Sequence, residues 1–351
     1  MKRDIDWLDR SIVSALQIYP RASWAQLSPV LQTSESTLSR RWDQLIEDGV
    51  VWTSSGILPD RPLLLGQGCF IEIRCVTGTR ESVIHELSKL PNVFSIAICA
   101  GAHDLAVMVA GESMLEMDRY IHEHVVTIEG VERALTTYVS GVAVEGSAFR
   151  LGDLTEQQSS KLGSLVPPRR NISTQPTPSQ IEIAQSLAAD VRRPAAEVAR
   201  ETGLSRAHVQ RQIAVLQSAP WYMSRIDFSV NDFGLTAVYF WVECSAVHLP
   251  DLMRFVRRSH GVRLAMPVVS RSNVLLSVWL PGLDHISVFE QVLVKSVPAV
   301  NVLDRWPQIV ARKRLGVLLD QRGRRRSAAG EVPNPIEEQG SAPAFFGVPM
   351  F

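Results

Sequence analysis

Ser34-Glu35-Ser36-Thr37-Leu38-Ser39-Arg40-Arg41-Trp42-Asp43-Gln44-Leu45-Ile46-Glu47-Asp48-Gly49-Val50 is the stretch on which the fold turns. Leu38, Trp42, Leu45 and Ile46 recur on one side at helical spacing, Ser34 stands where a hydroxyl can accept an orphan N–H of the first turn, and Asp48-Gly49 stops the element. Upstream, Leu8, Ile12, Ala15 and Leu16 mark an amphipathic helix with Asp6 at its cap, and Tyr19-Pro20-Arg21 breaks it. Ser23 caps a short second helix through Ala25 and Leu27 to Val30, and Gln32-Thr33 form a tight turn. Pro29 lies late in that helix, where it removes one backbone donor. Three helices with a short turn before the third fit a helix-turn-helix, and Val50-Val51-Trp52-Thr53 reads as the first strand of a wing.

The pattern returns. An offset of 171 residues lays 9–45 over 180–216 without a gap, placing Ile12 on Ile183, Leu16 on Leu187, Arg21 on Arg192, Ser34 on Ser205, Arg40 on Arg211 and Leu45 on Leu216. The same offset carries Phe70-Ile71-Glu72 onto Trp241-Val242-Glu243; after a two-residue slip, Val93 meets Val262, Asp104 meets Asn273 and Val131 meets Val300. Two units are therefore expected. Residues 1–60 form a first winged helix-turn-helix, 66–145 a sensing domain, 151–177 a linker, 178–228 a second helix-turn-helix with a degenerate wing, 235–312 a second sensing domain, and 316–351 a basic, disordered tail. Thr155 with Gln158 suits a short capped helix inside the linker.

Each sensing domain reads strand, helix, strand, strand, helix, strand: in the first, 68–76, 79–90, 93–100, 104–110, 113–126 and 131–142. Helices cover one sheet face, so the other must pack against a partner sheet, either within the chain or in a second copy. Gly101-Ala102-His103-Asp104 joins two central strands. Glycine there suits a positive φ, and Asp104 either fixes the turn through backbone hydrogen bonds or holds a ligand's ammonium group. Ser270-Arg271-Ser272-Asn273 takes that place in the second unit.

Charge gives no simple signature. The net charge is zero; residues 1–58 carry six Lys/Arg against seven Asp/Glu, and 178–226 carry six against four, so neither three-helix segment is strongly basic. Residues 312–326 form a cationic run read as a solvated tail. With 46% apolar residues the body folds, and no apolar run approaches the roughly 18 residues of a membrane span, so a cytoplasmic protein without a membrane partner is expected. Cys69, Cys75, Cys99 and Cys244 stand singly in apolar stretches and are read as reduced core residues, with no metal or cofactor implied.

A helix that reads DNA must bring short polar and guanidinium groups to base edges and phosphates. Ser34, Ser36, Thr37, Arg40 and Arg41 are the candidates in the first unit, and Ser205, Arg206, His208 and Arg211 in the second. Asp6-x-x-Asp9-Arg10-x-Ile12, Arg21-Ala22-Ser23, Ser34-x-x-Thr37-Leu38-x-Arg40-Arg41, Leu45-x-x-Asp48-Gly49-Val50 and Gly101-x-x-Asp104 together resemble the Lrp/AsnC family of transcription regulators, in a tandem form. The resemblance implies an α+β fold of winged helix-turn-helix units followed by ferredoxin-like domains, termed RAM, that join through their sheets into homo-oligomers. It also implies promoter DNA as partner, and a small effector such as an amino acid near Gly101, Ala102, His103 and Asp104. A non-enzymatic regulator is thus expected. Two alternatives stand beside it: an enzyme like the sirohaem decarboxylases of similar architecture, against which the uncharged Val50-Val51-Trp52-Thr53-Ser54 and the scattered histidines count, and a partner subunit that does not touch DNA.

Overall fold

The computed structural model describes residues 4–57, 68–111, 113–168, 176–188, 190–219 and 221–326. They fall into two compact units, one drawn from 4–57 and 150–228, the other from 68–149 and 229–326. Each unit takes residues from both halves of the sequence.

In the first unit, α1 (Trp7–Ile18) and α2 (Trp24–Leu31) each begin with a reciprocal capping box, Asp6 with Asp9 and Ser23 with Gln26, which satisfies two orphan donors at each start. Gln32 ends α2 in the left-handed region at φ 52, and Ser34 caps α3 (Glu35–Glu47). Ile12, Leu16, Leu27, Leu38 and Leu45 are fully buried, as the helical spacing predicts. β1 (Val51–Ile57) follows. The later half contributes α7 (Pro178–Ser186), α8 (Ala195–Thr202), α9 (Arg206–Ser218) and β6 (Tyr222–Phe228), whose apolar core gathers Ile183, Leu187, Val198, Val209, Leu216 and Trp221.

Here two expectations are corrected. Neither β1 nor β6 opens a hairpin wing among the described residues; the two strands pair antiparallel with each other, from Val51 opposite Phe228 to Ile57 opposite Tyr222. The second strand is as regular as the first, so its wing is not degenerate. The register obeys the 171 offset, since Val51 maps onto Tyr222 and Ile57 onto Phe228; the ribbon has a local two-fold centred on Ser54 opposite Arg225. Unpaired backbone on a short, largely buried strand is costly, and a second identical strand is the nearest remedy.

The expected linker is also more structured than its composition suggested. α6 (Glu156–Gly163) packs on α1 and α2 with Leu162 fully buried. Gln158 Nε2 donates to Val30 O at 3.0 Å and Lys161 Nζ to Pro29 O at 3.4 Å, so side chains of α6 satisfy late carbonyls of α2. Arg10 pairs with Asp153 at 2.9 Å.

The second unit is built on β2 (Gly68–Cys75), α4 (Arg80–Lys89), β3 (Val93–Cys99), β4 (Leu105–Ala110), α5 (Met114–Tyr120) and β5 (Val131–Val139). α5 runs on as one π turn over Ile121–Val125, which shortens the regular helix expected there. From the later half come β7 (Thr236–Cys244), α10 (Leu249–Arg258), β8 (Val262–Val269), β9 (Val274–Leu280), α11 (His285–Ser296), β10 (Val300–Arg314) and β11 (Val317–Leu318). The strands lie in the order β11-β10-β3-β4-β2-β5-β8-β9-β7, and β10 pairs also with β7, so eight strands close into a barrel with β11 attached outside.

Closure uses two intrachain joints, β5 with β8 and β10 with β3. Val139 opposite Val268 and Gln308 opposite Cys99 are equivalent pairs at an offset of 169. Phe70, Tyr239, Trp241, Met266 and Trp306 pack the interior, while Ile71, Ile73 and Val107 on one half and Val238, Phe240 and Val278 on the other face the helices. Closing the barrel removes both sheet edges. The expected joining of separate copies through these sheets is therefore taken up within one chain.

The cationic run is corrected too. Arg312 and Lys313 lie buried on β10, Arg312 bonded to Glu81 at 2.7 Å and Lys313 Nζ to the carbonyls of Ser88 and Leu90 at 3.0 and 3.1 Å, where it caps the end of α4. Arg324 grips Asp232 through two bonds of 2.7 and 2.8 Å, so residues 316–326 are packed; the rest of the expected tail lies outside the described residues. All four cysteines are free and buried.

Candidate functional site

The site begins at α3. Ser34 accepts from Thr37 N at 3.3 Å and its hydroxyl donates to that of Thr37 at 2.9 Å, with Ser36 Oγ at 3.2 Å from it. These three hydroxyls shape the first turn, and Ser34 and Ser36 are exposed. One turn on, Arg40 is exposed on the side opposite Leu38, Trp42 and Leu45. Arg41 is not. It reaches back to α1, pairing with Asp6 and, at 3.2 Å, with the fully buried Asp9. Its role here is to hold α3 on α1, and hydrogen bonding to Asp6 raises its pKa.

α9 presents the equivalent surface with different chemistry. Ser205 caps it through His208 N at 3.3 Å, and Arg206 and Arg211 are exposed. His208 is half-buried. Where α3 links to α1 by Arg41 and Asp9, α9 links to α7 by Gln212 and Gln180, whose amides meet at 3.0 Å; both residues are 171 positions on. An ion pair in one half is an amide pair in the other. Glu35, Ser36 and Thr37 face Arg206, Ala207 and His208 in the alignment, so a carboxylate at the start of α3 is replaced by a guanidinium at the start of α9.

Two arginines that sequence reading passed over join the halves. Arg21 donates to Val191 O and, at 3.1 Å, to Arg193 O; Arg192 donates to Pro20 O at 2.7 Å and Ala22 O at 2.9 Å. Each is the 171-residue counterpart of the other, and so are the carbonyls they grasp. Arg192 also lies over Trp24, 4.5 Å from the ring centroid. Burial, with Arg21 close by, pushes its pKa down to about 10. The alignment of Arg21 with Arg192 was the available signal.

The turn 101–104 divides its labour. Gly101 takes φ +128. Asp104 Oδ2 accepts from Cys75 N at 2.8 Å, and Asn273 Oδ1 accepts from Cys244 N at 2.9 Å, so both residues lock the same turn onto the end of a neighbouring strand. Asp104 also borders a shallow depression with Arg74, Thr77, Arg80 and Glu132. Ala102 is exposed, and His103 turns toward the barrel, its Nε2 at 2.7 Å from Glu72 Oε2 and its ring 5.1 Å from Trp306. Burial, with Asp304 nearby, pushes Glu72 up to about 7, and burial lowers His103. Glu72 was legible: alternation along β2 puts it on the same face as Phe70, a charged group facing inward.

Comparison with known proteins agrees with this division. Residues 5–46 match the AsnC-type helix-turn-helix domain and 68–149 the Lrp/AsnC ligand binding domain. An uncharacterized HTH-type transcriptional regulator of Pyrococcus abyssi is 31% identical over 149 residues, 42% of this chain and 93% of the relative; one from Pyrococcus horikoshii is 29% identical over the same length and the same shares. A crystal structure of the siroheme decarboxylase NirDL shares the fold over 88% of this chain and 93% of its own, with a TM-score of 0.52 at 14% identity. No helix of the described residues is long and apolar enough to cross a membrane. By its first 149 residues, the chain belongs to the Lrp/AsnC family.

Proposed function

We propose that this chain is a sequence-specific, DNA-binding transcriptional regulator, a tandem member of its family in which residues 178–312 form a second helix-turn-helix and a second ligand-binding domain. The observation that carries the reading is the exposed polar face on α3 and again on α9, with Arg40 and Arg211 at equivalent positions opposite buried apolar stripes. Arg40, Arg206 and Arg211 contact base edges or phosphates, Ser34, Ser36, Thr37, Ser205 and His208 set the two helix starts against the backbone, and Arg41 supports from behind. A small effector, such as an amino acid, is taken at the depression beside Asp104, with Arg74 or Arg80 for a carboxylate and Asp104 or Glu132 for an ammonium group.

Fluorescence anisotropy of the full chain on a labelled duplex from its own upstream region, with unlabelled competitor of unrelated sequence, tests this reading. Specific binding is expected, and an amino-acid panel should shift it in the wild type and less in Asp104→Ala. Equal competition by any duplex, or no binding, would contradict it. Decarboxylation of a tetrapyrrole is the second reading, motivated by the whole-chain fold likeness alone. A Soret band shift on adding an iron porphyrin would favour it.

A further inference from the structure

The first compact unit already contains what two-chain readers assemble from two molecules. Its two three-helix segments are joined by a ribbon with a local two-fold, Val51 opposite Phe228 and Ile57 opposite Tyr222. They are clasped by Arg21 and Arg192, each donating to the other segment's carbonyls. The joint is dry: Trp52 and Val51 are fully buried, Thr53, Ser54 and Ser55 nearly so, and Val191 N donates to Thr53 Oγ1 at 3.0 Å. Every contact in it lies within one chain, and the closed barrel spends the sheet edges in the same way.

The two readers, however, are not copies. α9 carries Arg206, Gln210 and Arg211 on its outer face and no acidic residue over its length. α3 carries Glu35, Ser36, Arg40 and Asp43, with Ser39 Oγ donating to Asp43 Oδ2 at 3.4 Å. A carboxylate at the start of a reading helix repels phosphate and accepts from a cytosine amino group, whereas a guanidinium at that point donates to guanine or phosphate. Arg40 and Arg211 are the shared element.

Resting on the regulator reading above, we infer that a single chain is a complete reader of a bipartite DNA site whose two halves differ in sequence. One half is read by α3 and the other by α9, so the operator is not a palindrome, and one chain, not a pair, fills it. The two halves share the base facing Arg40 and Arg211 and diverge at the positions facing Glu35-Ser36-Thr37 and Arg206-Ala207-His208.

Selection of duplexes from a randomised pool by the full chain, followed by native mass spectrometry of the chain on the recovered duplex, tests this. The expected result is a consensus of two unlike half-sites bound by one chain. Arg40→Ala should relax selection in one half and Arg206→Ala with Arg211→Ala in the other, each lowering affinity for the intact site at least tenfold. A palindromic consensus, two chains on one site, or a single half-site unaffected by the α9 substitutions would overturn the inference while leaving DNA binding itself intact. Failure to enrich any duplex would instead overturn the regulator reading, and the inference with it.

Discussion

At the scale of single residues, the molecule's least replaceable groups are cations whose partners are carbonyls. Arg192 makes two hydrogen bonds of 2.7 and 2.9 Å to the loop before α2 and stacks on Trp24, so Arg192→Ala leaves two carbonyls without their donor. A loss of about 3 kcal/mol is expected in urea unfolding of the full chain, with Arg192→Lys intermediate because a point charge cannot reproduce the planar fork. A loss under about 0.5 kcal/mol, the ordinary range for surface substitutions, would show that the clasp contributes nothing. Glu72 offers a second test, this time by pH. Its folded pKa of about 7 lies above its ordinary 4.5, so its contribution is present below pH 4.5 and is lost as pH rises through 7. Glu72→Gln should therefore gain melting temperature over the wild type by several degrees at pH 8, and little or nothing at pH 4.5. A difference independent of pH would mean that the carboxyl is solvated. Sequence pattern reached Glu72 by strand alternation and His103 by the turn motif, but not their meeting, which depends on how a loop bends back over a strand.

Among the elements, the comparison of α3 with α9 shows how a repeat can keep geometry while changing chemistry. Asp9 is fully buried, so Arg41→Gln strands a charge and should cost about 3 kcal/mol. The later half already holds the remedy. Gln180 serves both as the third residue of a capping box with Thr177 and as the partner of Gln212, so Asp9→Gln combined with Arg41→Gln should recover most of the loss. A double variant no more stable than the single would show that the two segments are not interchangeable at this joint. Helical spacing in 34–50 located α3, its cap and its buried stripe before any coordinates. It placed Arg41 beside Arg40 on the outer face, however, because neighbouring residues differ by only about a quarter of a turn and a long side chain can swing to either side. The wing failed for another reason: Val50-Val51-Trp52-Thr53 announces a strand but not its partner, and that partner stands 171 residues away.

At the scale of the whole chain, the internal offset was the strongest signal, and it carried the two three-helix segments and the doubled strand order. What it left open was where the second sheet edge goes. β10 decides this by its length: its first half pairs with β7 and its second half continues onto β3, with bulges taking up the change. The basic residues at its end were misread because composition cannot separate a solvated lysine from one capping a helix; Lys313, pushed down to about 8 by burial, is the latter. Lys313→Met should therefore weaken α4 of the second unit, faster amide exchange there being the measurement, and leave DNA affinity within twofold. A several-fold loss of affinity would restore the cationic run as a phosphate contact.

The claim beneath all of these is that the outer faces of α3 and α9 meet duplex DNA, and the salt dependence of binding addresses it most directly. Each phosphate contact releases counterions worth about 0.9 in the slope of log affinity against log salt. If Arg40 and Arg211 each hold a phosphate, Arg40→Ala with Arg211→Ala should flatten the slope by about 1.8 and weaken binding at every salt concentration. A double variant whose affinity and slope match the wild type, in a protein that still melts at the wild-type temperature, would contradict the account.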